Sequence, residues 1–460
     1  MRRRRLLLVN PFDPGRSGYA KARNFSYPPL SLEMLAGMTP NDWDVELVDE
    51  KWEPFTAREA DLVAVTAFTN GANRAYEIAA GYRKEGVPVV MGGVHASTCP
   101  EEALRFVDSV VIGEAESVWT QVLEDCLRGR MQPTYQGPPA NLVGLPHPRR
   151  DLSDARMSTA VVQTSRGCPM DCDFCTVAAL NGRNYRRRPV EEVLDELATI
   201  RKRRVFFADD NLVGYSPRDR QAALELFQGM VARRFRFEWG CQASVNIGED
   251  EELLEWASRA KCRLVFIGFE SDDSEALAAI NKPLNLRHSA EHYAPLVRRI
   301  HRAGIVVMGS FIFGLDSETP EKLRHRVESL LAGNVDIVQV TVLTPFPGTR
   351  LFQRLQQQER LLCDDFPRDW DYYDGNHLVH QPLHVRPAEL RAIVGELSDR
   401  NSRVSTCVAK AAMTMRESSK LVPTGMTLWG NWSLRPVRRA LAEARKLPWP
   451  SESREVAVPS

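Results

Sequence analysis

The sequence of 460 residues lacks a surplus of charge of either sign, because 60 Lys and Arg residues stand against 60 Asp and Glu residues. Proteins that bind nucleic acid or anionic membranes usually carry a basic surplus over the whole domain. The composition therefore supports neither kind of partner. The sequence also lacks an uninterrupted apolar run of about 18 residues, so no membrane-spanning helix is expected.

The first residues are not expected to form the leader of a secreted protein, and the cysteines do not follow the pattern of one. The first apolar segment, residues 6–9, is only four residues long and runs into Asn10 and Pro11, which predicts a buried first strand. The nine cysteines are not spread as an even disulfide framework, and three of them fall within eight residues. This usage favours a reducing cytoplasm and a metal site.

Strand and helix patterns alternate in the first 135 residues, which predicts a parallel sheet with helices on both faces. The predicted strands are residues 6–9, 45–48, 62–66, 89–91 and 110–112. Gly92, Gly93 and Gly113 follow strand ends, where open α/β sheets place their ligand crevice. We therefore expect a Rossmann-like, flavodoxin-like domain over residues 1–135, followed by a proline-rich linker at 136–155.

A second alternating series predicts about six strand and helix units, close to three quarters of a (β/α)₈ barrel. Its strands are expected at residues 159–162, 205–207, 237–240, 264–267, 306–308 and 337–340. The predicted fold class is thus α/β, with a partial (β/α)₆ TIM-type barrel over residues 156–350. A helical extension is expected at 351–416 and a loose tail at 417–460.

Cys168, Cys172 and Cys175 form a C-x3-C-x2-C cluster in a loop directly after a predicted strand. Three thiolates on one loop can hold three irons of a cubane cluster and leave one iron open to another ligand. Structural zinc is the competing metal, but it takes four closed ligands, often as paired C-x2-C elements, and the sequence has no second pair. Three incidental buried thiols are the remaining alternative.

This spacing, with an aromatic Phe174 before the last cysteine and a place after the first barrel strand, resembles the radical S-adenosylmethionine (SAM) superfamily. The resemblance implies a four-iron four-sulfur cluster on Cys168, Cys172 and Cys175, whose open iron takes the amino and carboxylate groups of SAM. Reduction of that cluster would cleave SAM to a 5'-deoxyadenosyl radical. Phe174 would lie beside the adenine.

Polar residues at other strand ends fit the same family. Asp209 and Asp210 follow the second barrel strand, where the resemblance implies groups that bind the SAM ammonium, and both are charge-complementary to it. Capping of a helix by Asp210 or Asn211 is the alternative. Gln242 and Ser244, just past the third strand, would reach the ribose or carboxylate of SAM, or else form a polar strand end.

The later strands carry three more candidate residues. Gly268 permits close approach of the backbone, and Glu270 would bond SAM hydroxyls or form an ion pair inside the barrel. Pro345 belongs to residues 344–349, which resemble a P-x-P-G-T turn frequent in this branch and placed near the adenine. A rigid turn without a ligand is the alternative reading of that segment.

Residues 24–30, 91–97 and 111–116 resemble the cobalamin-binding domain that precedes the barrel in cobalamin-dependent radical SAM proteins. The residues implied at the cobalamin are Thr66, Gly92, Gly93, His95, Gly113 and Glu114. Each of these residues, including His95, could equally be an ordinary turn residue without a ligand. The D-x-H-x-x-G motif is absent, since residues 10–15 read Asn-Pro-Phe-Asp-Pro-Gly, so cobalamin would bind without histidine on cobalt. A vestigial domain without cofactor remains the alternative.

The resemblance implies that SAM serves twice, as methyl donor to cob(I)alamin and as the source of a radical that removes hydrogen from an unactivated carbon. We therefore expect a cytoplasmic methyltransferase for a small-molecule or lipid substrate, served by an electron donor such as flavodoxin or ferredoxin. No side chain need act as a nucleophile.

Other reaction outcomes stay open. The radical could rearrange, cyclise or oxidise its substrate without methylation, or SAM could donate its 3-amino-3-carboxypropyl group. From another class, the chain could be an iron-sulfur redox sensor or binding protein. Residues 370–377, which mix aromatic and polar side chains, either cap a substrate chamber or pack as a plain helix and loop.

Overall fold

A computed structural model describes residues 3–13, 27–446, 449–450 and 452, without the side chains of residues 179 and 288–292. The strands are β1 Arg4–Asn10, β2 Trp43–Asp49, β3 Leu62–Thr66, β4 Val89–Gly92, β5 Ser109–Ile112, β6 Thr134–Gln136, β7 Thr159–Val162, β8 Ser165–Arg166, β9 Arg186–Arg187, β10 Arg204–Phe207, β11 Glu238–Ala243, β12 Cys262–Glu270, β13 Val306–Phe313 and β14 Ile337–Val342. The helices are α1 Leu30–Met38, α2 Ala72–Lys84, α3 Val94–Thr98, α4 Pro100–Ala103, α5 Trp119–Leu127, α6 Val177–Asn181, α7 Val190–Thr199, α8 Pro217–Ala232, α9 Glu251–Arg259, α10 Ser274–Ala279, α11 Pro283–Ala303, α12 Pro320–Ala332, α13 Arg350–Gln357, α14 Pro387–Asn401, α15 Val404–Ser418 and α16 Leu421–Ala444.

The N-terminal domain is a parallel sheet of six strands in the order β2-β1-β3-β4-β5-β6. All five predicted strands are present, and β6 adds an edge strand next to β5. The central strands are apolar throughout because both sheet faces are covered. Strand order reverses at β1, so the crevice of this domain opens at the carboxyl ends of β1 and β3.

The second domain is a parallel sheet of six strands in chain order, β7-β10-β11-β12-β13-β14, and it confirms the predicted partial barrel. Along each strand, alternate side chains point to opposite faces. Val205 and Phe207 are buried in the core beneath the outer helices, whereas Phe206 between them is only half-buried. Phe206 therefore faces the interior of the barrel.

The prediction of a loose C-terminal tail is wrong, because most of that segment forms α16. Pro436 lies inside this helix, and the helical face that packs on the barrel carries polar residues such as Thr427 and Asn431 beside Leu434 and Val437. Prolines and a partly polar buried face hide the helical pattern from sequence analysis. No helix within the described ranges is long and apolar enough to cross a membrane.

The segment after the barrel packs against the N-terminal domain. Trp370 is 2% exposed, stacks on Phe366 at 3.7 Å between ring centroids, and donates from Nε1 to Glu102 at 2.9 Å. Asn73 of α2 donates from Nδ2 to Asp371 at 3.0 Å. These contacts favour the packed alternative for this segment, and they fasten the extension across the two domains.

Candidate functional site

The three clustered cysteines lie in the loop after β8, at the carboxyl end of β7, and each is half-buried. Burial raises the pKa of Cys172 and raises that of Cys175 to about 11, so free thiols here would stay protonated at neutral pH. A metal that binds thiolates displaces those protons. Within the described ranges no three His, Cys, Asp or Glu side chains gather tightly enough for a single ion, whereas a cubane takes each thiolate on a different iron.

A tyrosine and a serine border the first cysteine. The hydroxyl of Tyr215 lies 3.6 Å from the sulfur of Cys168 and 2.8 Å from the hydroxyl of Ser244. Tyr215 follows β10 and Ser244 follows β11, so successive strand ends bring both to the cysteine loop. Ser244 is therefore linked to Cys168 through the Tyr215 hydroxyl.

A buried ion pair borders the second cysteine. Lys282 Nζ lies 2.8 Å from Glu270 Oε1 and 6.0 Å from the ring centre of Phe174. Burial opposes the charge on Lys282, but Glu270 and the Cys172 thiol raise its pKa, so the ammonium persists. A fixed positive charge beside the cysteines favours thiolates and can bind an anionic group such as a carboxylate.

Glu270 occupies an unusual backbone position, with φ of 63° at a shift of register between β12 and β13. This conformation turns its carboxylate back over Gly268, where any side chain would overlap that carboxylate. The close approach expected at Gly268 is thus made by Glu270 itself. The ion pair with Lys282 agrees with the alternative of a carboxylate paired inside the barrel, and it leaves Oε2 as the second acceptor of that group.

The two adjacent aspartates have different surroundings. Asp209 is fully buried and accepts hydrogen bonds from Thr164 N at 3.1 Å, from Thr164 Oγ1 at 2.7 Å and from the hydroxyl of Ser165. It holds the strand end that leads into the cysteine loop. Asp210 Oδ2 is buried without a hydrogen-bond partner among the described residues. Burial, followed by repulsion from Asp209, raises the Asp210 pKa to about 6, against the opposing effect of a hydrogen bond between this carboxyl group and the Asn181 side chain. Asp210 is therefore the better placed of the two to meet a bound cation.

Two further predicted residues lie at the carboxyl rim of the barrel. Gln242 alternates with the buried Cys241 along β11, so its half-buried side chain faces the barrel interior. Pro345 is buried in the turn after β14, and Thr349 at the end of that turn accepts from Phe352 N at 3.1 Å to cap α13. The turn thus has a structural role as the start of α13.

A cavity of about 360 Å³ lies between the two domains and contains most of the residues predicted for cobalamin. Its lining includes Thr66, Gly92, Gly93, Gly113, Glu114, Gln163 and Arg166. Gly113 has φ of 80° and open space where a side chain would project, so a large ligand can approach its backbone. Gly93 has φ of 92° and packs tightly on Thr66, which explains glycine there without a ligand.

His95 lies apart from that cavity lining. Its side chain is fully buried, with Nε2 at 2.9 Å from the Tyr76 hydroxyl and 3.2 Å from Glu102 Oε1, and its ring meets Trp370 edge-on. The structure therefore joins His95 to the C-terminal extension. Of residues 24–30, only 27–30 lie within the described residues, and Tyr27 stacks on Phe206 at 4.6 Å between ring centroids.

Glu114 links the two domains through arginines. Its Oε2 accepts from Arg166 Nη1 at 3.1 Å and from Ala140 N at 2.9 Å, and Arg186 Nη2 pairs with its Oε1. Burial alone would raise the pKa of Glu114, but the hydrogen bonds from Arg186 and the charge of Arg166 lower it. Arg166 also pairs with Glu116. This group of ions fixes the cysteine loop against the cavity.

Sequence reasoning missed Tyr215, Lys282 and the role of Arg166. Lys282 lies between α10 and α11, and a lone lysine between two helices carries no signal of chemistry in one sequence. Tyr215 follows the aspartates by five residues and is equally unmarked. Arg166 stands two residues before Cys168, but its carboxylate partners are more than 49 positions away in the chain.

Comparison with known proteins agrees with both parts of this site. A family model for the radical SAM superfamily matches residues 162–330, and one for the B12 binding domain matches residues 17–123. The chain is 30% identical over 376 residues to the bacteriochlorophyllide d C-12(1)-methyltransferase of Chlorobaculum tepidum, covering 77% of this chain and 78% of that protein. It is 30% identical over 358 residues to the hopanoid C-2 methylase of Rhodopseudomonas palustris, covering 74% and 66%.

A solved structure shares the whole fold. The radical SAM methyltransferase TsrM from Kitasatospora setae, with cobalamin and a four-iron four-sulfur cluster bound, superposes with a TM-score of 0.65 at 18% identity, covering 96% of this chain and 99% of that one. The two family models imply a four-iron four-sulfur cluster, SAM and cobalamin as cofactors. The chain therefore belongs to the cobalamin-dependent radical SAM family, and it is a radical SAM enzyme of the methyltransferase type.

Proposed function

We propose that this enzyme methylates an unactivated carbon of a bulky, mainly apolar, ring-containing small molecule or lipid held in the barrel interior. The observation that carries the proposal is the cavity between the domains, which joins the glycine-rich strand ends of one domain to Ser165 and Arg166, the strand that leads into the cysteine loop of the other. Ligands bound on the two sides of that cavity would lie next to each other. Methyl transfer with two cofactors needs that adjacency.

The barrel rim supplies groups for SAM. We assign the SAM ammonium to Asp210, whose buried Oδ2 lacks a partner among the described residues, and the SAM carboxylate to Lys282. The Ser244 hydroxyl would accept a hydrogen bond from its ribose or donate one to it, and the Glu270 carboxylate would accept from the ribose hydroxyls. When bound, the cluster and SAM supply a carbon-centred radical, and cobalamin supplies a methyl carrier. The protein's own residues position the reactants and exclude water.

The interior of the barrel supports the apolar substrate class. Phe206 and Phe266 are half-buried and alternate with residues of the outer core, so they face inward. Tyr27 enters this space from the N-terminal segment and stacks on Phe206. A ring system fits between aromatic side chains of this kind. The bacteriochlorophyllide and hopanoid named for the relatives are both bulky ring compounds.

The remaining partners follow from the chemistry. We propose that a small electron donor such as flavodoxin or ferredoxin reduces the cluster and that the enzyme works in the cytoplasm. The half-buried state of all three cysteines supports reduction by such an electron donor, because the cluster loop stays near the protein surface. The proposed function involves neither nucleic acid nor a membrane-spanning segment.

The substrate proposal is tested with SAM carrying a deuterated methyl group. The reconstituted enzyme is incubated anaerobically with reductant, cobalamin and, in separate reactions, a bacteriochlorophyllide, a hopanoid and free tryptophan. Deuterium in either bulky ring compound supports the proposal, and deuterium only in tryptophan would contradict it.

A pair of variants locates the substrate. Phe266→Ala should lower transfer to the accepted compound and raise its KM, because it removes an inward-facing ring from β12. Phe235→Ala provides the matched control, since Phe235 stacks on Phe237 outside the barrel interior and should leave the KM unchanged.

A further inference from the structure

The outer face of α16 carries a stripe of exposed apolar side chains. Leu421, Val422, Leu428, Trp429 and Trp432 are 78%, 52%, 40%, 44% and 53% exposed. Their spacing places them on one side of the helix. The opposite side, with Leu434, packs against the first residues of β13 and β14, so the stripe covers the end of the barrel farthest from the cysteine loop.

Arginines border this stripe. Arg204, at the start of β10, lies over the ring of Trp429 with 5.2 Å between Cζ and the ring centre, and Arg435 lies over Trp432 at 4.4 Å. Arg201, Arg203 and Arg236 are exposed at the same end of the barrel. In the part of the chain that the structure describes, none of Arg201, Arg203, Arg204 and Arg236 forms an ion pair. The zero net charge of the chain thus conceals a local basic surplus.

Tryptophan and leucine on one face, beside arginine, suit the interface of a lipid bilayer. The indole ring settles at the level of the headgroups, and arginine binds their phosphates. Anionic headgroups attract clustered arginines, by about 1 kcal/mol per charge near the surface. A second copy of this chain fits less well, because a two-fold contact through this face would bring like charges together.

We propose that the outer face of α16 and the neighbouring arginines, hereafter the α16 face, dock the enzyme on an anionic lipid bilayer. The contact is peripheral, since the apolar residues form a stripe on one helix. Docking leaves the cavity between the domains clear of the bilayer, because the α16 face lies at the other end of the barrel. The α16 face is therefore an anchor rather than a route for the substrate, and it does not depend on the reaction catalysed.

The test is co-sedimentation of the intact cluster-loaded enzyme with vesicles of phosphatidylglycerol and phosphatidylcholine, compared with vesicles of phosphatidylcholine alone. We expect binding to the anionic vesicles that weakens with salt. Trp429→Ala with Trp432→Ala should weaken it about tenfold. Arg201→Gln, Arg203→Gln and Arg236→Gln together should weaken it about a hundredfold, at about fivefold per charge.

Matched controls are Leu383→Ala, which removes an apolar side chain that is 47% exposed elsewhere, and Arg218→Gln, an exposed arginine on α8. Both should bind vesicles like the parent. Far-UV circular dichroism and iron content confirm that each variant is folded.

Any one of these results would overturn the proposal: no sedimentation with anionic vesicles, equal sedimentation with neutral vesicles, sedimentation unchanged by the α16-face variants, or equal loss in the controls. Light scattering that shows a dimer split by the tryptophan variant would assign the face to a second copy instead. Duplex DNA that competes as tightly as the vesicles would show a general polyanion site, and that too would overturn docking on lipid.

Discussion

The guanidinium of Arg166 donates from Nη1 to Glu114 Oε2 at 3.1 Å, so an arginine two residues before the first cluster cysteine is held by a carboxylate of the other domain. Both side chains are largely buried, at 13% and 7% exposure. This contact makes the position of the cysteine loop depend on the N-terminal domain. It explains how two separately folded sheets can present their ligands to each other.

Replacing Arg166 should therefore uncouple the domains. Arg166→Met leaves Glu114 and Glu116 buried with one cation fewer, and loss of one partner from a buried pair costs about 3–5 kcal/mol. We expect a lower free energy of unfolding in urea and weaker retention of cobalamin. Arg233→Met, which removes a cation paired at the surface with Glu191 and Asp195, is the control. An Arg166→Met protein as stable as the parent would contradict this account.

The cluster assignment predicts that the three clustered cysteines are required for iron incorporation and that Cys126 is not. Cys168→Ala, Cys172→Ala and Cys175→Ala should each abolish incorporation of a four-iron cluster, because one iron loses its protein ligand. Cys126→Ser, at a half-buried cysteine of α5, should bind iron normally. Iron and sulfide analysis with electron paramagnetic resonance of the reduced protein measures both. Full iron content in any of the three alanine variants would remove that cysteine from the ligand set.

The fold of the sheets could be predicted because buried parallel strands are continuous apolar runs. Residues 62–66 and 306–308 both became strands for this reason. The C-terminal helix could not, since Pro436 interrupts the expected pattern and the buried Asn431 depends on a hydrogen bond to the main chain of Asp336 in the barrel domain. That tertiary contact is invisible in the local sequence.

The candidate site could be predicted only where several metal-binding or ionisable side chains lie close together in the sequence. Three cysteines in one loop carry their own signal, and so do the adjacent aspartates. The sequence does not show that the Asp209 carboxylate accepts hydrogen bonds from Thr164. Nor does it show that Asp210 has a buried oxygen without a partner among the described residues. Nor could it bring Lys282 to Glu270, because that meeting depends on the register shift in β12.

Lys282 should govern SAM binding rather than cluster assembly. Lys282→Met removes the ammonium beside Glu270 and Cys172, and loss of a hydrogen bond to a charged group costs about 1.5–3 kcal/mol. We expect SAM affinity at least tenfold weaker with iron content unchanged, as measured by equilibrium dialysis. Lys322→Met, which removes a more exposed pair with Asp273, is the control. Unaltered SAM affinity in Lys282→Met would exclude the assigned role.

The C-terminal helices should make stability depend on pH. His301 lies 2.6 Å from Asp336 and 2.7 Å from Glu417; burial opposes its charge, but these carboxylates raise its pKa above the ordinary 6.5. The contribution of His301 to the free energy of unfolding is fully present below the pKa of this histidine in the unfolded state. It is lost as the pH rises through the pKa in the folded state.

The free energy of unfolding in urea, measured from about pH 6 to about pH 9, should therefore fall with rising pH for the parent relative to His301→Gln. His384→Gln, at an exposed histidine, should follow the parent. Parallel profiles of the parent and His301→Gln would show that the imidazole is not held as a cation.

The central claim is that SAM serves both as methyl donor and as radical source in one enzyme. Its most direct test is mass spectrometry of the SAM-derived products after anaerobic reconstitution and reduction with cobalamin and the accepted substrate present. We expect S-adenosylhomocysteine together with 5'-deoxyadenosine. Deoxyadenosine alone would contradict the central claim in favour of a radical reaction without methylation, methylthioadenosine would indicate transfer of the aminocarboxypropyl group, and intact SAM would contradict the enzyme assignment itself.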